Sequence, residues 1–164
     1  MKYFFVLLGC LMLFSACSTK TPYASLHKYK KNQKTHFKKS QSILDTLYQE
    51  YNKWKGVRYC YGGASKNGVD CSALVQIIYK EAFHIKIPRT TQQQAKIGYR
   101  VEKYKAKAGD IVLFKTGYKT KHSGIYLEKG DFLHASTKYG VVISNINNPY
   151  WRSVYWQTRR VLPH

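Results

Sequence analysis

Acidic residues are what this chain lacks. Its 164 residues hold 8 Asp and Glu against 28 Lys and Arg, a formal net charge of +20 at pH 7. So one-sided a balance says little about fold and much about partners, because it draws the protein to polyanions. Nucleic acid, anionic lipid head groups and acidic wall polymers all qualify. Between residues 18 and 39 there is no acid at all, while Lys20, Lys28, Lys30, Lys31, Lys34, Lys38 and Lys39 fall there. Cysteine is scarce as well. Cys10, Cys17, Cys60 and Cys71 show no C-x-x-C spacing, and the histidines no H-x-x-x-H; zinc ligands usually come in such short-spaced pairs, so a zinc site is disfavoured. Long apolar runs are also missing, since the run Tyr3 to Phe14 is too short to span a bilayer as a stable helix. There is no internal repeat and no second domain's worth of length. What remains, at 44% hydrophobic residues, can still supply one ordinary core.

The N-terminus places the chain outside the cytoplasm. Met1-Lys2 is a short positive region, the apolar run follows, and Ser15-Ala16 are small residues at a cleavage position. This is a secretory signal peptide over residues 1–16. Leu13-Phe14-Ser15-Ala16-Cys17 resembles a bacterial lipobox, which implies that Cys17 becomes the lipid-modified first residue of the mature chain. Phe14 departs from the usual leucine, and a plain secretory signal without an anchor is the alternative. Ser18 resembles the context of lipoproteins forwarded to the outer membrane, on the face toward the periplasm. Removing the signal takes away only Lys2, so the mature chain is nearly as basic. Export makes nucleic acid an unexpected partner, and lipid surfaces and the cell wall remain.

Residues 17–39 have few large apolar side chains and no clear period, and read as an extended, self-repelling basic tether. The tether either lies on an anionic membrane or wall polymer or is simply a solvated linker. A domain over 40–164 follows. Ile43, Leu44, Leu47, Tyr48, Tyr51 and Trp54 recur at three- and four-residue steps, an amphipathic helix capped by Ser40 or Ser42 and ended by Gly56. A second helix runs from about Cys71 to Phe83. Pro88 to Ala95 holds a short third one. After Gly98 the pattern turns to strands: Ile111–Phe114, His122–Leu127, Phe132–Ala135 after the turn Lys129-Gly130-Asp131, Val141–Ser144, and a closing strand near Thr158–Leu162. Helices first and antiparallel strands after define an α+β class.

The stretch Gly68-Val69-Asp70-Cys71-Ser72 delivers a cysteine to the start of the second helix. A thiol there sits beside unpaired backbone N–H groups and the positive end of the helix dipole, which favour thiolate, and the same groups can bind an oxyanion. Cys71 is therefore a candidate nucleophile; a small buried core residue is the other reading. A nucleophilic thiol needs a base, and the base an orienting group. His122 and His134, on strands joined by a tight turn, fill those roles. Zinc held by Cys71, His122 and His134, or two histidines merely satisfied in the core, are the alternatives. Cys60 is either a buried thiol next to Tyr59 or a disulfide partner that blocks Cys71.

Gly68-Val69-Asp70-Cys71-Ser72, Gly109-Asp110-Ile111-Val112-Leu113-Phe114, His122-Ser123-Gly124-Ile125-Tyr126-Leu127 and Phe132-Leu133-His134-Ala135-Ser136 resemble, in order and spacing, the motifs of the NlpC family of cysteine peptidases. Pro88-Arg89-Thr90 and Arg159-Arg160-Val161-Leu162 look like family features too. The resemblance covers Trp54 to Leu162. It implies a papain-like α+β fold, with the nucleophile at a helix N-terminus packed on an antiparallel sheet. It implies hydrolysis of peptidoglycan stem peptides, usually between D-glutamate and the diamino acid that follows, by Cys71, His122 and His134 and with no metal or organic cofactor. It also implies that Tyr59 polarises the scissile carbonyl, and that Asp70 and Ser72 line the substrate site, where they can bind a stem peptide's free amine. Ala73 stands where the family usually has glycine. Two rival functions stay open: an acyltransferase or lipid hydrolase on a related permuted scaffold, against which the motif order speaks, and a non-catalytic wall- or membrane-binding lipoprotein, against which the Cys-His-His set speaks.

Overall fold

A computed structural model describes residues 22–163. The signal peptide over 1–16 and Cys17 lie outside the described residues. The first helix, α1 (Pro22–Trp54), is 33 residues long. It therefore takes in the segment expected to be an extended tether, and neither Ser40 nor Ser42 caps it. The reason is that like-charge neighbours at i,i+4 cost only a few tenths of a kcal/mol each. Lysine is itself a good helix former, and no glycine or proline interrupts residues 23–55. Pro22 suits the first position, where its missing N–H costs nothing. Within this helix Ile43, Leu44, Leu47 and Trp54 are buried, while Lys31, Lys34, Lys38 and Lys39 are exposed. Gly56, with φ +77, turns the chain after it as expected.

A two-stranded hairpin, β1 (Ala64–Ser65) and β2 (Gly68–Val69), leads into α2 (Cys71–Phe83), followed by the single turn α3 (Thr91–Gln94). The remaining strands are β3 (Tyr99–Val101), β4 (Ile111–Lys115), β5 (Lys121–Tyr126), β6 (Asp131–Ser136) and β7 (Gly140–Asn145). A short helix α4 (Pro149–Val154) and the strand β8 (Tyr155–Arg160) close the chain. The strands from β3 onward form one antiparallel six-stranded sheet in the order β3-β8-β4-β5-β6-β7. The α+β, papain-like layout is thus the one observed. The sequence pattern missed β3, the hairpin and α4. Each is six residues or shorter, and α4 has no buried residue to give it a period.

Side chains alternate across the sheet. Ile111, Leu113, Ile125, Leu133 and Ala135 face α2 and the second half of α1, where they meet Leu47, Leu74, Val75, Ile78 and Tyr79 in the main core. Tyr79 is fully buried and donates its hydroxyl to the Gly109 carbonyl, so the burial of its phenol leaves no polar group unmet. Val112, Phe114 and Phe132 point the other way, into a second cluster with Ile146 that α4 covers through Trp151 and Val154. At the start of β4, Asp110 is fully buried and bonds Arg160 twice, at 2.8 and 2.7 Å. This pair ties the turn before β4 to the last residue of β8.

Candidate active site

The loop before α2 is folded so tightly that side chains are excluded from it. A Cβ on Gly63 would come within 2.5 Å of the Gly68 carbonyl oxygen, and one on Gly68 within 2.5 Å of the Cys60 Cβ. Backbone bonds from Cys60 to Val69 and from Asp70 to Gly63 hold the two arms together. This closure delivers Asp70 as the N-cap of α2, with its side chain accepting the Ala73 N–H at 2.7 Å. The cap carboxylate has four further donors: Ser72 Oγ at 3.0 Å, the Gly62 N–H at 3.1 Å, and both terminal nitrogens of Arg89 at 2.9 and 2.6 Å. Burial would raise the Asp70 pKa, but the Arg89 and backbone bonds together hold it below its ordinary 3.8. Asp70 and Ser72 are therefore both 7% exposed and both bonded to Arg89, which also reaches Ser72 Oγ at 3.0 Å.

Cys71 opens α2 and is 6% exposed. Its sulfur lies 3.9 Å from Thr91 Oγ1, which in turn lies 3.4 Å from Ser123 Oγ on β5, and the Ser123 dipoles work to lower the thiol pKa. Burial nevertheless pushes the thiol pKa up, outweighing those dipoles. Burial thus opposes the thiolate that the helix terminus was expected to favour, because removing the group from water penalises its charged form. Among the described residues, the backbone N–H groups of Cys71 and Ser72 donate no hydrogen bond. Tyr59 is half-buried and bridges Val69. Its phenol pKa is raised chiefly by burial and further by the nearby Asp70 carboxylate, so it stays a hydroxyl donor.

His122 is the neighbour of Ser123, and the alternation of β5 turns its ring toward the second cluster. Its Nε2 lies 2.9 Å from His134 Nδ1 on β6, and His134 Nε2 lies 2.9 Å from Ser144 Oγ on β7. Both histidines are buried, at 8% and 1% exposed. Burial lowers the His122 pKa to about 4, and burial with the charge of His122 takes His134 well below 6.5. Trp151 stands over both rings, with centroid distances of 5.4 Å to His122 and 5.0 Å to His134. Gly124 makes the arrangement fit. A Cβ there would meet Leu133 O and Phe132 Cδ2, each at 2.7 Å, and the His134 Cβ at 3.2 Å.

The structure therefore brings Tyr59, Asp70, Cys71 and Ser72 together at the start of α2, with β5 carrying His122 beside them. Cys60 does not join them. It is free and exposed rather than a buried thiol or a disulfide partner, because Tyr59 takes the inward direction and alternation sends Cys60 outward. Arg89, Thr91, Ser123, Ser144 and Trp151 had no role assigned from sequence. Only Ser123, directly after His122, and Arg89, within Pro88-Arg89-Thr90, had positions that could have flagged them. Among the described residues, no group of three His, Cys, Asp or Glu could hold a metal ion. No described helix is long and apolar enough to cross a membrane.

A buried thiol opening a helix, packed on an antiparallel sheet that presents two bonded histidines, defines a papain-like cysteine hydrolase. Comparison with known proteins narrows this class. The NlpC/P60 family model matches residues 56–160, and the chain belongs to that family. It is 37% identical over 164 residues to the murein DD-endopeptidase MepS/murein LD-carboxypeptidase of Escherichia coli K12, covering 92% of this chain and 87% of that protein. It is 41% identical over 117 residues to the gamma-DL-glutamyl hydrolase of Bacillus subtilis, covering 70% of this chain and 28% of that longer protein. Among solved structures, an NlpC/P60 family protein from Bacillus cereus superposes with a TM-score of 0.66 at 31% identity, over 73% of this chain and 40% of that one.

Proposed function

We propose that this chain is a peptidoglycan endopeptidase that cleaves stem-peptide amide bonds through a thioester on Cys71. The observation that carries the reading is the convergence on one strand of Ser123 against the Cys71 sulfur and His122 bonded to His134 at 2.9 Å. The family membership and the murein-directed names of the relatives support the substrate class.

The steps follow from the positions. His122 has Nε2 committed to His134, so Nδ1 is the nitrogen that serves Cys71. As the sulfur attacks the scissile carbonyl carbon, its proton passes to Nδ1. The carbonyl oxygen becomes an oxyanion, met by the unpaired N–H groups at the start of α2 and by the Tyr59 hydroxyl. The C–N bond breaks as His122 returns the proton to the leaving amine. Water then gives a proton to His122, attacks the thioester, and releases the carboxylic acid, and Cys71 regains its proton. A neutral thiol beside a neutral imidazole is the right starting state for this sequence, since the proton moves only when substrate has excluded water. The stem peptide lies along the wall made by Asp70, Ser72 and Arg89, whose charges are already matched to one another.

The bond cut is the D-glutamyl–diamino acid bond. Digestion of purified peptidoglycan followed by mass spectrometry of the soluble fragments tests this. Fragments ending in D-glutamate support it, whereas separation of cross-linked stems at the D-alanyl bridge would replace it with a DD-endopeptidase reading. The enzyme is exported and anchored through a lipid on Cys17 to the outer membrane, facing the periplasm, with the basic first half of α1 lying between anchor and domain. Neutralising Lys28, Lys30, Lys31, Lys34, Lys38 and Lys39 tests the basic segment: association with walls or anionic vesicles should weaken at low salt. Unchanged sedimentation would remove that role.

A further inference from the structure

The histidine pair does not end at His134. Ser144 lies opposite Phe132 in the β6–β7 ladder, two positions along from the partner of His134 and on the same face. From there its hydroxyl reaches His134 Nε2 at 2.9 Å, and among the described residues it has no other hydrogen-bond partner. Ser144 is half-buried, and so is its bond to His134.

Two proton arrangements satisfy the row His122–His134–Ser144, and they have opposite consequences. In the first, Ser144 donates to His134 Nε2. His134 must then carry its proton on Nδ1 and donate to His122 Nε2, which forces the His122 proton onto Nδ1. That imidazole can accept nothing from Cys71. In the second, His134 Nε2–H donates to Ser144 Oγ, and the serine proton turns to water. His134 Nδ1 then accepts from His122 Nε2–H, and His122 Nδ1 keeps its lone pair. Both imidazoles are buried and each bonds the other, so neither can choose its tautomer alone. The terminal hydroxyl chooses for both.

We infer that Ser144 is a positioning residue that, by accepting the His134 Nε2–H, fixes the tautomers of both histidines so that His122 Nδ1 is the base facing Cys71. The inference rests on the proposed hydrolysis only for its effect on turnover. The proton positions themselves are a property of the resting protein. A hydroxyl can fill this place because only an acceptor is required, and a carboxylate would add a charge that the buried pair would have to answer.

The test joins long-range 1H–15N correlation spectra of the histidine side chains in the full chain with turnover of purified peptidoglycan, for wild type, Ser144→Ala and Ser144→Thr. Expected is a wild-type His134 carrying its proton on Nε2 and a His122 with unprotonated Nδ1. Ser144→Ala should mix the tautomers of both rings and lower kcat about tenfold with KM little changed, the size of one lost hydrogen bond to the reacting set. Ser144→Thr, which keeps the hydroxyl, should restore both. A wild-type His134 protonated on Nδ1, or an Ala variant with wild-type tautomers and wild-type kcat, overturns the inference. If wild type is silent on peptidoglycan, the proposed function fails while the spectra still decide the role of Ser144.

Discussion

Arg89 clasps Asp70 with both of its terminal nitrogens, at 2.9 and 2.6 Å, and so anchors the residue that caps α2, the helix that Cys71 opens. That carboxylate is 7% exposed and lies beside a buried thiol, whose pKa its charge helps to raise. Lysine cannot replace a two-pronged donor. Arg89→Lys should cost about 1–2 kcal/mol, less than a fully buried pair because the guanidinium is over a third exposed. Turnover should fall as well, since the start of α2 loosens. Chemical denaturation beside a peptidoglycan assay checks both. Unchanged values in both would show that the clasp is idle.

The buried histidines set a pH dependence of stability. Unfolded, each imidazole titrates near 6.5; folded, burial takes His122 down to about 4 and His134 well below 6.5. Between those values the unfolded chain binds more protons, so stability is full above pH 6.5 and is lost as pH falls toward 4. His122 alone accounts for roughly 3 kcal/mol of that loss. Denaturant midpoints at pH 7, 5.5 and 4.5 should decline in that order, and His122→Gln should flatten the decline. A midpoint independent of pH across this window would mean that the imidazoles are not held neutral.

Trp151 is the cover of the histidine pair. It also contacts Phe114 at 4.7 Å and Phe132 at 5.1 Å, so one side chain joins the second core to the site. Trp151→Ala should destabilise the fold by about 3 kcal/mol and lower kcat beyond what the unfolded fraction explains, because water reaches the rings. Trp151→Phe should recover most of both. A pH-rate profile separates the two effects: opening the cover should move the acid limb up toward 6.5, and an unmoved limb would leave Trp151 a packing residue alone.

Much of the site was legible from residue order because its chemistry needs particular types in particular places. A cysteine at the opening of an apolar period, and two histidines flanking one hairpin turn, gave α2, β5 and β6 to within a residue or two. What was hidden depends on contacts between elements distant in sequence. Arg89 reaches Asp70, Ser144 reaches His134 and Trp151 reaches both histidines through folding alone, and nothing local to those residues announces it. The burial that works against a thiolate was hidden for a related reason: the helix terminus was visible in sequence, but the depth at which Cys71 lies was not. Along α1, repulsion among lysines was given too much weight against a long run free of helix breakers.

The central claim is that Cys71 is the nucleophile. Purified wild type and Cys71→Ala, matched for thermal midpoint and held in reducing buffer, should be incubated with the same purified peptidoglycan and the soluble stem-peptide fragments counted over time. Fragments released by wild type and not by Cys71→Ala are the predicted result. Release by the alanine variant at the wild-type rate would contradict the account.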